Sequence, residues 1–143
     1  MSKTKPKLSW DDIKKDPERL KYFKFNWAKN AIRRASYRWP GRYNAKKRNY
    51  ITVEYELKNG EIRLKEQCFC DLCGIISSKN FFQLDHKETC VPLTGWISFD
   101  NFIDRMMCLE EEFQIICKPC HKDITNNQLK TRVINRKNKK VDK

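Results

Sequence analysis

No run of apolar residues in this chain approaches the length of a bilayer span, and the first eight residues, MSKTKPKL, are polar with no apolar segment behind them. Both absences argue against a membrane-embedded or signal-led class and predict a soluble, cytoplasmic protein. No internal repeat is present, which sets aside solenoids and arrays. Acidic residues are scarce, 18 Asp and Glu against 31 Lys and Arg, for a net charge of +13. That imbalance points to a polyanionic partner rather than to a fold. Histidine is almost missing: only His86 and His121 occur in 143 residues. A length of this order predicts one domain with an appended arm or tail.

The charge is unevenly spread. Residues 1–50 hold 16 Lys and Arg against 4 acids, residues 51–112 hold 6 against 12, and residues 113–143 hold 9 against 2. A basic arm and a basic tail therefore flank an acidic middle, and such asymmetry marks interaction segments.

Ser9 and Asp12 make a helix start, and Asp16-Pro17 offers a second cap with Pro in the first helical position. Leu20, Phe23, Trp27, Ala31 and Ala35 then recur on one face of a long helix, which Pro40 and Gly41 are expected to stop. Other faces carry Arg33, Arg34 and Arg38, and the following loop adds Arg42, Lys46, Lys47 and Arg48. These seven cations are the candidate nucleic-acid contacts, binding the phosphate backbone. Trp39 and Tyr43 among them can stack on bases, although packing against the core is the favoured expectation.

From Ile51 the period switches to two. Ile51, Val53, Tyr55 and Leu57, then Asn59-Gly60, then Ile62 and Leu64 predict a hairpin with a type I′ turn. Short strands are expected around Phe81–His86. Ser98 caps a helical insert, residues 98–108, whose Phe99, Phe102, Ile103, Met106 and Met107 read as core. A last helix opens after Cys117, and the final residues read as a disordered tail.

Seven cysteines, an odd number, do not suit a disulfide framework in a cytoplasmic chain. Four of them form two C-x-x-C pairs, Cys70/Cys73 and Cys117/Cys120. Two such knuckles let four thiolates close on one zinc ion in a structural, tetrahedral site. Gly74 suits the knuckle turn, and a thioredoxin-like redox unit lacks its βαβ frame here. Cys68 can substitute for Cys70 as a ligand at a longer spacing, while Cys90 and Cys108 read as small core residues. Closing the knuckles on one ion brings the start of the last helix beside the strand of Asp85 and His86. Asp85, His86 and His121 then become neighbours able to hold a second divalent ion and to offer a base.

The ordered set C-D-L-C, L-D-H and C-K-P-C-H, within residues 68–128, resembles the HNH endonucleases of the His-Me finger (ββα-metal) class. The upstream RRASYRWPGR and the insert GWISFDNFIDRMMC are similar to those of small HNH proteins of bacteriophages and prophages. The resemblance implies an α+β, zinc-braced ββα-metal domain over residues 50–129, a basic helical arm over 1–49, and a disordered basic tail over 130–143. It implies a DNA-cleaving enzyme in which His86 deprotonates the attacking water, while Asp85 and His121 hold one magnesium or manganese ion. Products would carry 5′-phosphate and 3′-hydroxyl ends. Glu112 stands where the motif has Asn, and there it is expected to orient the base or join the metal; Lys87, Thr89 and Ile124 also depart from the pattern. The expected partner is nucleic acid, DNA before RNA, with a phage or host protein as a further partner. The alternatives are a zinc-scaffolded nucleic-acid-binding module without turnover, and an adaptor that docks through its helical insert.

Overall fold

The computed structural model describes residues 8–141, which form a mixed α+β fold with two small sheets. The chain divides into two compact units, Met1–Ala35 and Ser36–Lys143. No helix among the described residues is long and apolar enough to cross a membrane. The first residues of the expected arm lie outside the described residues.

In the first unit, Ser9 and Asp12 form the expected reciprocal cap of α1 (Trp10–Lys14). Asp16 Oδ1 accepts the N–H groups of Glu18 and Arg19 at 3.1 and 3.3 Å, opening α2 (Pro17–Ser36) at its proline. The apolar stripe does lie on this one helix, but it is not core. Trp27 is 64 % exposed, and α1, five residues long, brings only Trp10 to Phe23, with ring centroids 5.8 Å apart.

The second unit begins earlier than the expected boundary at residue 49. Pro40 does not simply end a helix; it starts α3 (Pro40–Lys46), over residues expected to be a loop. A proline at the first position costs nothing, because that N–H has no intrahelical partner. The Trp39 indole Nε1 donates to the Cys108 carbonyl at 2.6 Å, and Trp39 packs against buried Ala45, Cys108 and Phe113. Trp39 is thus a packing residue, whereas Tyr43 stays exposed. Gly41 is required at this crossing, because a Cβ there would lie 2.8 Å from the Cys108 oxygen and 2.9 Å from Trp39 Nε1.

Strands β1 (Tyr50–Glu56) and β2 (Ile62–Phe69) pair antiparallel from Tyr50↔Cys68 to Glu56↔Ile62. Their turn is not type I′. That turn needs positive φ at two successive residues, and among the described residues only glycines have it. Gly60 (φ 81°) donates to the Leu57 carbonyl at 2.8 Å, and Leu57 donates to Glu61 at 2.8 Å. This is a type I turn followed by a left-handed glycine. Strand β3 (Ile76–Ser77) joins the far side of β2.

The second sheet pairs β4 (Phe82–His86) with β5, antiparallel. Between them lies α4 (Phe99–Met106), capped by Ser98, whose Oγ accepts the Asn101 N–H at 3.1 Å, with Phe102 and Met106 buried as expected. Strand β5 (Phe113–Cys117) pairs from His86↔Phe113 to Phe82↔Cys117 and runs without a break into α5 (Lys118–Val141). The residues expected as a disordered tail are therefore helical through Val141. Their composition is polar, but Arg132, Asn135 and Lys139, on one helix face, donate to the carbonyls of Val91, Leu93 and Thr94. These bonds give the helix a tertiary partner that composition does not reveal.

The core is thin, as the low hydrophobic content requires. One cluster is Ala45, Cys108 and Phe113; the other is Cys70, Ile116 and Cys117, covered by Phe81, Phe82, Cys120 and Ile124. Gly41→Ala should lower the urea midpoint at unchanged m-value, by about 1–3 kcal/mol of stability, the usual cost of forcing extra volume into a packed contact. An unshifted midpoint would show that the α3 crossing relaxes freely.

Candidate functional site

The two C-x-x-C knuckles come from elements far apart in sequence, and the chain ties them together before any ion is considered. The Asp71 N–H donates to the Ile115 carbonyl at 2.8 Å, and the Ile115 N–H returns to Asp71 Oδ2 at 2.7 Å. The Cys117 N–H donates to Cys70 Sγ at 3.3 Å. Asp71 also accepts from Asn49 Nδ2 at 2.7 Å, and Asn49, 1 % exposed, reaches the Phe69 carbonyl at 3.0 Å. Arg48 completes the brace, donating to the carbonyls of Glu110 and Phe113 at 3.1 and 2.9 Å and to Asp71 at 3.3 Å. Arg48, expected as a phosphate contact, also braces the chain here, with its side chain 40 % exposed. Gly74, at φ 73°, closes the first knuckle by donating to the Cys70 carbonyl at 3.0 Å.

The sulfur atoms of Cys70, Cys73, Cys117 and Cys120 consequently lie within 4.8 Å of one another, with Cys73 and Cys117 at 3.7 Å. Four thiols at this spacing can hold a metal such as zinc. Cys68 is not among them: its side chain is buried in β2, and burial pushes its thiol up. The electrostatics suit a cation. Burial opposes ionisation of Cys70, but the N–H groups of Cys73, Cys117 and Leu72 outweigh it and bring the thiol to about 6. Burial pushes Cys117 up, and hydrogen bonding to Cys117 pushes Cys120 up to about 12. One anion forms readily and its neighbours resist a second, a conflict that a divalent ion removes.

The pleat separates the two members of the Asp-His pair. Asp85, opposite Gln114, shares its face of the β4–β5 sheet with Ile116, while His86 shares the other with Leu84 and Phe113. Asp85 Oδ1 accepts the His86 backbone N–H at 2.9 Å. His121 sits half-buried in the first turn of α5, one turn before Ile124 in the core. Among the described residues the four cysteines are the one set of three or more metal-ligating side chains drawn together, so Asp85 and His121 gather no third protein ligand.

His86 is held at both ring nitrogens. Nε2 lies 3.1 Å from the Met106 carbonyl, and a carbonyl only accepts, so Nε2 carries the proton. Nδ1 is then the lone-pair nitrogen and faces Cys90 Sγ at 3.4 Å. The ring also packs on Phe113, centroids 4.7 Å apart. Cys90, expected as a small core residue, is half-buried and stands against the His86 ring. Cys108 is buried as expected, and burial followed by the Glu112 charge pushes its thiol up to about 11.

A cavity of about 300 Å³ opens beside His86, walled by Arg105, Asp104, Cys108, Glu111 and Glu112 among others, but not by Asp85 or His121. Glu112 is engaged with the backbone. Its Oε2 accepts the Leu109 N–H at 2.8 Å, closing the turn before β5. Of the basic candidates, Arg34 and Arg38 are exposed, as is Arg33, which keeps contacts of its own. The Arg42 guanidinium lies 5.1 Å over the Tyr37 ring, and Lys47 donates to the Tyr43 hydroxyl at 3.0 Å. Lys46 borders a small cavity with Tyr50 and Lys79.

Compared with protein-family models, with curated proteins and with solved structures, the chain matches none.

Purified without chelators, the protein should carry one equivalent of zinc, and Cys117→Ser should lose both zinc and cooperative folding. Asp71→Ala should retain the thiols but weaken zinc retention against a competing chelator, because the brace is gone. Zinc affinity should also fall as pH drops across the neutral range, because binding displaces the protons of Cys117 and Cys120, and more steeply below about 6, where protons reclaim Cys70 too. Zinc at well under half an equivalent, or a stably folded Cys117→Ser protein, would remove the metal from this scaffold.

Proposed function

We propose that this chain is a metal-dependent endonuclease of the HNH type that hydrolyses DNA phosphodiester bonds on a zinc-braced ββα scaffold. One observation carries the reading. A strand ending in Asp85-His86 pairs antiparallel with β5, which enters α5 directly, placing His121 in the helix's first turn and the thiol quartet at the junction. The four thiols fit zinc, which supplies folding energy, on the order of 10 kcal/mol in small zinc modules.

The chemistry falls to a few side chains. His86 accepts the proton of the attacking water at Nδ1, while Nε2–H stays bonded to the Met106 carbonyl, fixing the tautomer and ring plane. Asp85 and His121 would hold a magnesium or manganese ion, which when bound would supply charge neutralisation at the scissile phosphate and the leaving oxygen. Two protein ligands would leave the ion open to water and substrate, as suits magnesium. Glu112, engaged with Leu109, is assigned to holding the turn rather than to the base. Arg33, Arg34, Arg38, Arg42, Lys46 and Lys47 contribute backbone charge, consistent with the net +13.

A second reading, a nucleic-acid-binding module without turnover, draws on the Cys90 contact, which occupies the nitrogen that catalysis needs. Plasmid cleavage separates the two. Under magnesium or manganese the protein should nick or cut, and His86→Ala should lose about a hundredfold or more of the rate, with zinc content and DNA binding kept. Cys90→Ala should preserve or raise cleavage, since it frees Nδ1 for water. Equal rates for the parent and His86→Ala would overturn the role of His86; DNA binding without cleavage under any divalent ion would favour the module.

A further inference from the structure

The C-terminal half of α5 borders a second cavity, about 190 Å³, whose other wall is the loop Leu93–Gly95. Arg132 Nη2 donates to the Val91 carbonyl at 2.8 Å, Asn135 Nδ2 to Leu93 at 3.1 Å, and Lys139 Nζ to Thr94 at 2.6 Å. Position 95 needs glycine for its backbone conformation, not for room against the helix. Its φ is +126°, it donates to the Pro92 carbonyl at 3.0 Å, and a Cβ there would stand 3.6 Å from Lys139 Nζ. Each staple uses one donor, and a guanidinium or an ammonium has several. Arg136 lines the same cavity without a hydrogen bond to any described residue.

Three cations thus converge on one cleft, and none is paired with a carboxylate among the described residues. Charges of one sign held together repel, and partial carbonyl dipoles do not neutralise them. An oxyanion does, and a cleft of this volume admits a tetrahedral phosphate. We infer that Arg132, Arg136 and Lys139 form a phosphate-binding cleft that grips a backbone phosphodiester of nucleic acid, on the helical tail and apart from the His86 cavity. The inference rests on the nucleic-acid reading above but not on catalysis.

The test uses the full chain, a labelled duplex of arbitrary sequence, and no added divalent ion, so that binding is read without cleavage. Arg136 supports no part of the fold, so Arg136→Gln should keep zinc content and helicity. One lost phosphate contact should make the salt slope shallower by about 0.9 and weaken binding about eightfold at 0.1 M salt. Arg136→Lys should recover most of the affinity. In the unsubstituted protein the Gly95 amide resonance should shift as duplex is added. Unchanged affinity and slope for Arg136→Gln, or a Gly95 amide that does not move, overturns the cleft while leaving the cleavage assay to judge the nuclease. A loss confined to anionic lipid vesicles, with duplex binding unaltered, also overturns it. Failure of the unsubstituted protein to bind duplex at all sinks both the cleft and the nucleic-acid reading.

Discussion

Everything in the second unit hangs on the exchange of two hydrogen bonds between Asp71 and Ile115. The first joins backbone to backbone, and the second uses the Asp71 carboxylate as though it were another carbonyl. Together they hold the first knuckle against the end of β5, so the sulfurs of Cys70 and Cys117 meet at the start of α5. The carboxylate keeps about a quarter of its surface accessible, 26 %, and is not left to water alone. Asn49 and Arg48 answer it, and Arg48 also reaches the carbonyls of Glu110 and Phe113. Charge-assisted bonds of this kind are stronger than neutral ones and suit a core too thin to rely on apolar burial.

The same economy appears around His86. No large hydrophobic pocket shapes the ring; a carbonyl at the end of α4, the Phe113 face and a half-buried thiol do. The insert that carries α4 is therefore part of the histidine's surroundings, since Met106 provides the acceptor that sets the tautomer. Trp39, from the segment before α3, reaches Cys108 at the end of the same insert. A network links the basic N-terminal segment of this unit, the insert and the histidine cavity through backbone carbonyls, which accept whatever side chains occupy those positions.

Basic residues here divide into two kinds. Arg48, Arg132 and Lys139 are spent on carbonyls and hold the chain together; Arg34 and Arg38 lie exposed. A net charge of +13 therefore overstates the number of cations free to meet a polyanion. The staples on α5 still present unspent donors, so one residue can brace a loop and bind an anion together. Loop, helix and charge meet at that cleft, because Lys139 Nζ donates to the Thr94 carbonyl next to Gly95.

Local signals were legible in the sequence wherever physics acts over a few residues. The Ser9 cap, the opening of α2 at Pro17 and the Ser98 cap follow from neighbours two or three positions apart, and the β1–β2 pairing starts from residues six apart, Glu56↔Ile62. The paired C-x-x-C spacing was enough to name the four sulfurs that converge. Tertiary contacts decided the rest. They left Cys68 out of the sulfur cluster, gave Arg48 and Glu112 backbone partners, and put Cys90 against His86. They also made a helix of the tail, whose polar residues found carbonyls some forty positions away. The turn at Gly60 shows the limit even at short range: Asn59-Gly60 permits type I′, but the paired strands accepted a left-handed residue at glycine alone. Spacing along a chain determines which groups are able to meet, and only the folded backbone determines which hydrogen-bonding partners each of them must satisfy.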